Sequence, residues 1–301
     1  MIITKEISIH RIISGTWKHF LLNTITCILT YFIHLFLIPE SIEIPVPIPS
    51  ILGTALSFFI AFNNNQSYDR WWEARKIWGT LINDSRSWAR QLIYFQTGSL
   101  QKEPNSLTKG MIYRHISFLY ALKQNLRKSS EDEYKRHLSK DDAELIALES
   151  NKANGILYLQ AKDLSQLLAS NNIDVFRFIE LNKILINFCN AMGNSERIST
   201  TVFPTTYNYY TRIFIWMFII FVTLIAAHSM GPWSILLGIF IGYVFLTIHK
   251  IGQSLLNPYE EIPTGIPLNH ITRTIEINML QTLREAEVPR PIESSNGEYI
   301  L

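Results

Sequence analysis

Four long runs of apolar residues constrain this chain more than any other feature of its sequence. They occupy residues 20–38, 49–62, 213–227 and 233–248, and none of them contains Asp, Glu, Lys or Arg. About 20 helical residues cross a hydrocarbon core roughly 30 Å thick, so each run with its flanks can span or nearly span a bilayer. We therefore expect an all-α membrane protein with four transmembrane helices.

The basic residues predict the orientation of these helices. Of the 27 Lys and Arg residues, three precede the first run, twenty lie between residues 63 and 212, and four follow from Lys250 onward. Because basic loops stay on the cytoplasmic side, both termini are predicted to be cytoplasmic. A cleaved signal peptide is the alternative for the first run, but this run is longer than a typical signal core and lacks an Ala-x-Ala-like site. The predicted location is the cell membrane, which is the inner membrane in a Gram-negative organism.

Composition excludes several functional classes. Charged residues make up 17% of the chain, below the roughly 25% of an ordinary soluble domain. A net charge of +2 lacks the basic footprint of a nucleic-acid binder. Neither phosphate-binding loops nor nucleophile or zinc-hydrolase motifs occur. We therefore expect no enzyme activity, no cofactor, no metal site and no nucleic-acid partner.

The apolar runs also divide the chain. An N-terminal part, 1–85, holds the first span at about 20–38 and a second helix at about 49–80. Helical periodicity, together with capping patterns that begin at Ser130 and at Ser139, predicts a helical cytoplasmic region over 86–203. The last two spans follow in 204–255, and 256–301 forms a C-terminal cytoplasmic segment that ends in a mobile tail.

The second apolar run differs from the others. Thr54, Phe58 and Phe62 recur every four residues and form one stripe on a helix, and the uncharged polar run 63–67 follows. Such a stripe is usually the core of a helix bundle. It could instead line a pore with a hydrophobic constriction, which gates by expelling water, with Asn64 and Asn65 lining the pore below it. A pore of this kind needs several copies of the chain around one axis.

Directly after the polar run, residues 67–79 have the sequence Ser-Tyr-Asp-Arg-Trp-Trp-Glu-Ala-Arg-Lys-Ile-Trp-Gly. This block, together with segments at 193–198, 257–259 and 267–278 and the layout of four spans, resembles the bestrophin family, particularly its bacterial members. Ion pairs on the helix surface and the large apolar surface of the tryptophan side chains predict a structural, anchoring role for the block. The residues concerned are Asp69, Arg70, Trp71, Trp72, Glu73 and Arg75.

The resemblance implies a homopentameric ion channel with one axial pore. In that family the second membrane helix supplies a neck of three side chains, which correspond to Thr54, Phe58 and Phe62. Family necks are mostly apolar, so Thr54 is a departure that puts a hydroxyl ring into the neck. A second, cytoplasmic constriction is expected near Ile173 and Phe176.

The permeant ion stays open at this point. Chloride follows from the resemblance, and anions fit the positive edges of aromatic rings. A cation-selective channel for sodium, using the amide oxygens of the asparagine run, is the alternative. A membrane scaffold or sensor, whose cytoplasmic helical region binds a partner, is the alternative of another class.

Calcium gating is predicted to be absent. Eukaryotic bestrophins bind calcium at a clasp of acidic residues after the last span, where oxygen ligands suit a hard cation. The corresponding segment here, 257–265, has only two carboxylates, those of Glu260 and Glu261. Currents recorded with and without calcium should be equal. A calcium-dependent current that the substitution Glu261→Ala abolishes would contradict this prediction.

Overall fold

The computed structural model describes residues 9–39, 45, 47–97, 105–201, 205–295 and 297–301. Most of the connection after the first span and the predicted boundary at 203/204 lie outside these residues. The described chain is almost entirely helical, with nine α-helices and one 3-10 helix, Glu133–His137. The α-helices are α1 (Ile9–Leu37), α2 (Pro47–Tyr94), α3 (Ser106–Arg127), α4 (Lys140–Ala147), α5 (Lys152–Ala169), α6 (Val175–Thr200), α7 (Thr205–Met230), α8 (Trp233–Ser254) and α9 (Leu268–Thr282).

Three helical segments are long and apolar enough to cross a membrane. They are Gly15–Leu37 in α1, Thr206–Met230 in α7 and Trp233–Ser254 in α8. Helix α2 does not qualify by length and composition within the described chain. Its apolar part covers only residues 49–62 before the polar run begins. A fourth span therefore remains a prediction.

The chain forms two compact units. The membrane unit contains α1, α7, α8 and the part of α2 that ends at Arg70. The globular unit contains the rest of α2 from Trp71, helices α3 to α6, α9 and the C-terminal segment.

Glycines bring α8 close to its neighbours in the membrane unit. A Cβ atom at Gly238 would collide with Thr223 of α7, and one at Gly242 would collide with Asn23 of α1. Asn23 also donates a hydrogen bond from Nδ2 to the carbonyl of Ile239 at 2.8 Å. Small residues permit such close approach in lipid. The two glycines therefore serve packing inside one subunit.

Helix α3 is the centre of the globular unit and packs against the 3-10 helix, α5, α6 and α9. Trp88 of α2 meets Phe188 of α6 edge to face, with ring centroids 5.7 Å apart. His115 of α3 is fully buried and lies 2.8 Å from the hydroxyl of Ser85. Burial lowers the pKa of His115 to about 3, so this core histidine is neutral at physiological pH.

One of the two predicted capping patterns forms a helix start. Ser139 caps α4 and accepts a hydrogen bond from the backbone N–H of Asp142. The pattern that begins at Ser130 produces only the 3-10 helix, whose cap residue is Asp132 without a side-chain cap bond.

The C-terminal segment, which is predicted to end in a mobile tail, contacts the first turn of α9. The carbonyl oxygen of Leu301 accepts a hydrogen bond from the backbone N–H of His270 at 3.1 Å. His270 lies in the first turn of α9, where N–H groups have no partner within the helix. The chain end therefore satisfies an otherwise unpaired helix donor.

A buried carboxylate joins three elements of the globular unit. Glu276 of α9 accepts hydrogen bonds from the Tyr120 hydroxyl of α3 at 2.6 Å and from His137 Nε2 of the 3-10 helix at 2.9 Å. Arg273 Nε lies 3.2 Å from the same carboxylate. Burial alone would raise the pKa of Glu276, but these donors outweigh it and lower the pKa below the ordinary 4.5.

We predict that Glu276→Gln destabilises the protein by about 1–3 kcal/mol at pH 7, because charge-assisted hydrogen bonds are lost at a buried site. A group with a lowered folded-state pKa stabilises above its unfolded pKa, and this contribution disappears as the pH falls through the folded value. The difference in melting temperature from wild type should therefore shrink as the pH falls below the ordinary carboxyl value of 4.5. Glu144→Gln, the same change at an exposed position, is the control. Equal melting temperatures for Glu276→Gln and wild type at pH 7 would contradict the assigned role.

Candidate functional site

The candidate site is the stripe of Thr54, Phe58 and Phe62 on α2. Phe58 is 75% exposed and Phe62 is 59% exposed, and Thr54 is also exposed. On the other side of the helix, Leu56 and Ile60 are buried. The stripe is therefore not part of the core of its own subunit, so the bundle-core interpretation does not apply within one chain.

The Thr54 hydroxyl is occupied within the helix. Its Oγ1 donates to the carbonyl oxygen of Ser50 at 2.9 Å. The hydroxyl of Ser57 donates in the same way to the carbonyl of Gly53. These donors are therefore not available to an ion or to water next to the stripe.

Contacts with α7 hold this half of α2 from other sides. A Cβ atom at Gly53 would lie 2.8 Å from the Phe218 ring, so only glycine fits against that ring. The hydroxyl of Tyr207 donates to the carbonyl of Phe59 at 2.9 Å, and Asn63 Nδ2 donates to Asn208 Oδ1 at 3.2 Å. The stripe is thus left uncovered while the helix that bears it is anchored.

The two asparagines predicted below the neck occupy different faces. Asn64 Nδ2 donates to the carbonyl of Ile248 in α8 at 3.2 Å, so Asn64 packs inside the subunit. At 100° per residue it lies about 200° around the helix from Phe62. Asn65 is exposed. Gln66, four residues after Phe62, is also exposed and continues the stripe.

The two residues predicted for the second constriction differ in burial. Ile173 is 3% exposed and belongs to the hydrophobic core of the globular unit. Phe176 is 83% exposed in the first turn of α6. Asp174 caps this helix by accepting a hydrogen bond from the backbone N–H of Arg177. Only Phe176 presents its side chain at the surface.

The tryptophan-rich block makes structural contacts in the globular unit. Trp71 Nε1 donates to the carbonyl of Thr264 at 2.9 Å, and its ring stacks on that of Trp72. Glu73 pairs with Arg197 of α6 at 2.6 Å. Since both side chains are largely exposed, this pair contributes at most about 1 kcal/mol. The remaining members of the block are the exposed Asp69 and the partly exposed Arg70 and Arg75.

Comparison with known proteins identifies the group to which these features belong. Residues 5–281 match the family described as Bacterial/Fungal Bestrophin protein. The chain belongs to the bestrophin family. Its fold also matches a crystal structure of a bacterial bestrophin homologue from Klebsiella pneumoniae, with a TM-score of 0.82, 25% identity, and 89% of this chain and 98% of that chain covered. This bestrophin is accordingly a membrane protein.

Two further relatives have functional names. The voltage-dependent anion channel-forming protein YneE of Escherichia coli strain K12 is 30% identical over 248 residues, which is 81% of this chain and 78% of the relative. A voltage-dependent anion channel-forming protein of Ralstonia nicotianae is 25% identical over 249 residues, which is 81% of this chain and 79% of the relative.

The bestrophin segments that were separate in the sequence meet in the globular unit. The Trp71 bond reaches the segment after the last span, and Glu73 reaches the segment at 193–198. Glu196 in that segment accepts hydrogen bonds from Asn125 Nδ2 at 2.8 Å and Asn151 Nδ2 at 2.7 Å. The sequence contained no signal for these two asparagines, because they lie on other elements without a shared motif.

The acidic pair after the last span faces an arginine. Glu261 Oε1 lies 3.2 Å from Arg127 Nη1 and accepts a hydrogen bond from Asn269 Nδ2 at 2.6 Å. Burial lowers the pKa of Arg127, whereas Glu261 raises it and helps to keep the guanidinium charged. Glu260 is exposed. The carboxylate of Glu261 is thus paired with the positive charge of Arg127.

Proposed function

We propose that this bestrophin is a passive channel for small anions, chloride among them, built from five identical subunits around one pore. The observation that carries the proposal is the exposed phenylalanine stripe on an anchored helix. Large apolar side chains exposed in a single subunit need an environment that only assembly or lipid supplies. The relatives named as anion channel-forming proteins support ion conduction and the anionic preference.

In the proposed pore, Thr54, Phe58 and Phe62 of each subunit form a hydrophobic neck. Such a constriction controls conduction by expelling water when it is narrow. The positive ring edges of phenylalanine can face an anion as it passes. The Thr54 hydroxyl donates its proton to the carbonyl oxygen of Ser50. The five Thr54 side chains around the proposed pore therefore present methyl groups and oxygen lone pairs to it.

Below the neck, the proposed lining consists of Asn65 and Gln66 instead of Asn64. Both are exposed on the stripe side, whereas Asn64 is bonded to α8. Their amide groups offer donors to anions and acceptors to cations. For the second constriction we retain Phe176 and drop Ile173, which is buried in the core.

Reversal potentials test the permeant ion. Purified protein in planar bilayers with a salt gradient should give a current whose reversal potential lies near the equilibrium potential of the anion. A reversal potential near the equilibrium potential of the cation would support the alternative of a sodium channel with the same architecture. Vesicles that leak no salt, together with a monomer or dimer on cross-linking, would support the scaffold alternative.

We predict that Phe58→Ala raises the single-channel current at least about twofold, because removing the ring widens and hydrates a hydrophobic constriction. Phe240→Ala is the matched control. Phe240 is 69% exposed on α8 but lies on no proposed pore surface, so its current should equal that of wild type. Unchanged conductance in Phe58→Ala would show that the stripe does not form the neck.

A further inference from the structure

Two histidines meet at neighbouring helix ends in the membrane unit. His34 lies in the last turn of α1 and His228 in the last turn of α7. Their ring centroids are 6.3 Å apart, and the ring planes are nearly perpendicular at 82°. His228 is exposed and His34 is partly exposed, so neither ring is enclosed by its own chain.

The backbone around the pair favours positive charge. Helix α1 ends at Leu37 and α7 ends at Met230, so the contact of the two rings places two C-terminal turns side by side. The last carbonyl groups of a helix lack partners within it, and the helix dipole is negative at this end. One such carbonyl, of Ala227, accepts from the N–H of Gly231. Two adjacent negative ends therefore attract a cation to the imidazoles.

The ring separation fits two imidazoles on one metal ion. With metal–nitrogen distances of about 2.0–2.1 Å, ring centroids lie about 5.2 Å apart for a tetrahedral angle and about 6.4 Å apart for a linear one. The observed separation lies within that range. A tetrahedral site would need the rings to approach each other by about 1 Å.

We propose that His34 and His228 bind one divalent transition-metal ion of the zinc or copper type, with water molecules completing its coordination. Imidazole nitrogen is a preferred ligand of these ions, in contrast to the oxygen ligands that calcium requires. The described residues contain no group of three or more His, Cys, Asp and Glu side chains that could hold a metal, so this site has open coordination positions. The distribution of basic residues predicts these helix ends outside the cell. The site does not depend on ion conduction.

Calorimetric titration of the full chain in detergent with ZnCl2 at pH 8, after removal of any histidine tag, tests this site. The alkaline pH is used because metal ligands must be deprotonated. We expect one ion per chain, and at least tenfold weaker binding in both His34→Ala and His228→Ala. His19→Ala removes another histidine of α1 that is not part of the pair and should bind zinc like wild type. A titration with CuCl2 should show tighter binding than zinc, following the usual order of affinities.

Zinc binding by His34→Ala and His228→Ala with wild-type affinity would overturn the proposal, as would absence of saturable zinc binding in wild type. If His34→Ala fails to fold, zinc binding is measured with His228→Gln instead. This variant changes the exposed histidine, keeps a polar side chain and loses the imidazole. Binding retained by His228→Gln counts against the site, and binding lost in a correctly folded His228→Gln supports it.

Discussion

Helix α2 is buried along one line and uncovered on its other faces, and the remaining structure depends on this constraint. This helix has 48 residues, or about 72 Å at 1.5 Å per residue, and it belongs to both units of the chain. Its buried positions follow one another at three- and four-residue steps, from Leu56 and Ile60 through Asn63 and Ser67. After a step of seven residues, Ala74 and Trp78 are buried four residues apart. A single buried line holds the helix and leaves its other faces for assembly, lipid or water.

Polar groups inside the membrane unit are accommodated by pairing. Asn23 bonds to a carbonyl of α8, Thr223 donates to the carbonyl of Ile219, and Asn63 bonds to Asn208. An unpaired polar group at this depth would cost several kcal/mol. These three side chains therefore serve as contacts between or within helices. The histidine pair differs from them because neither ring is buried within the chain.

The main features of the helical fold could be predicted from the sequence. Continuous apolar runs locate α1, α7 and α8, and Ser139 marks the start of α4, because hydropathy and capping act over a few neighbouring residues. The face on which Asn64 lies could not be predicted in the same way, since the polar run 63–67 covers more than one helical turn. The burial of Ile173 was also missed, because Ile173 and Phe176 are equally apolar and only tertiary contacts distinguish them. Contacts such as Trp71 with Thr264 join residues nearly two hundred positions apart, for which one sequence contains no signal.

The bond from Thr54 to Ser50 has a consequence for the chemistry of the proposed neck. A threonine that gives its only proton to its own helix resembles valine in its outward shape and in what it can donate. The departure from an all-aliphatic or aromatic lining is thus smaller than the residue name suggests. An anion that enters the narrow passage would find no hydroxyl donor to replace the water it sheds, and only the positive edges of the phenylalanine rings would face it.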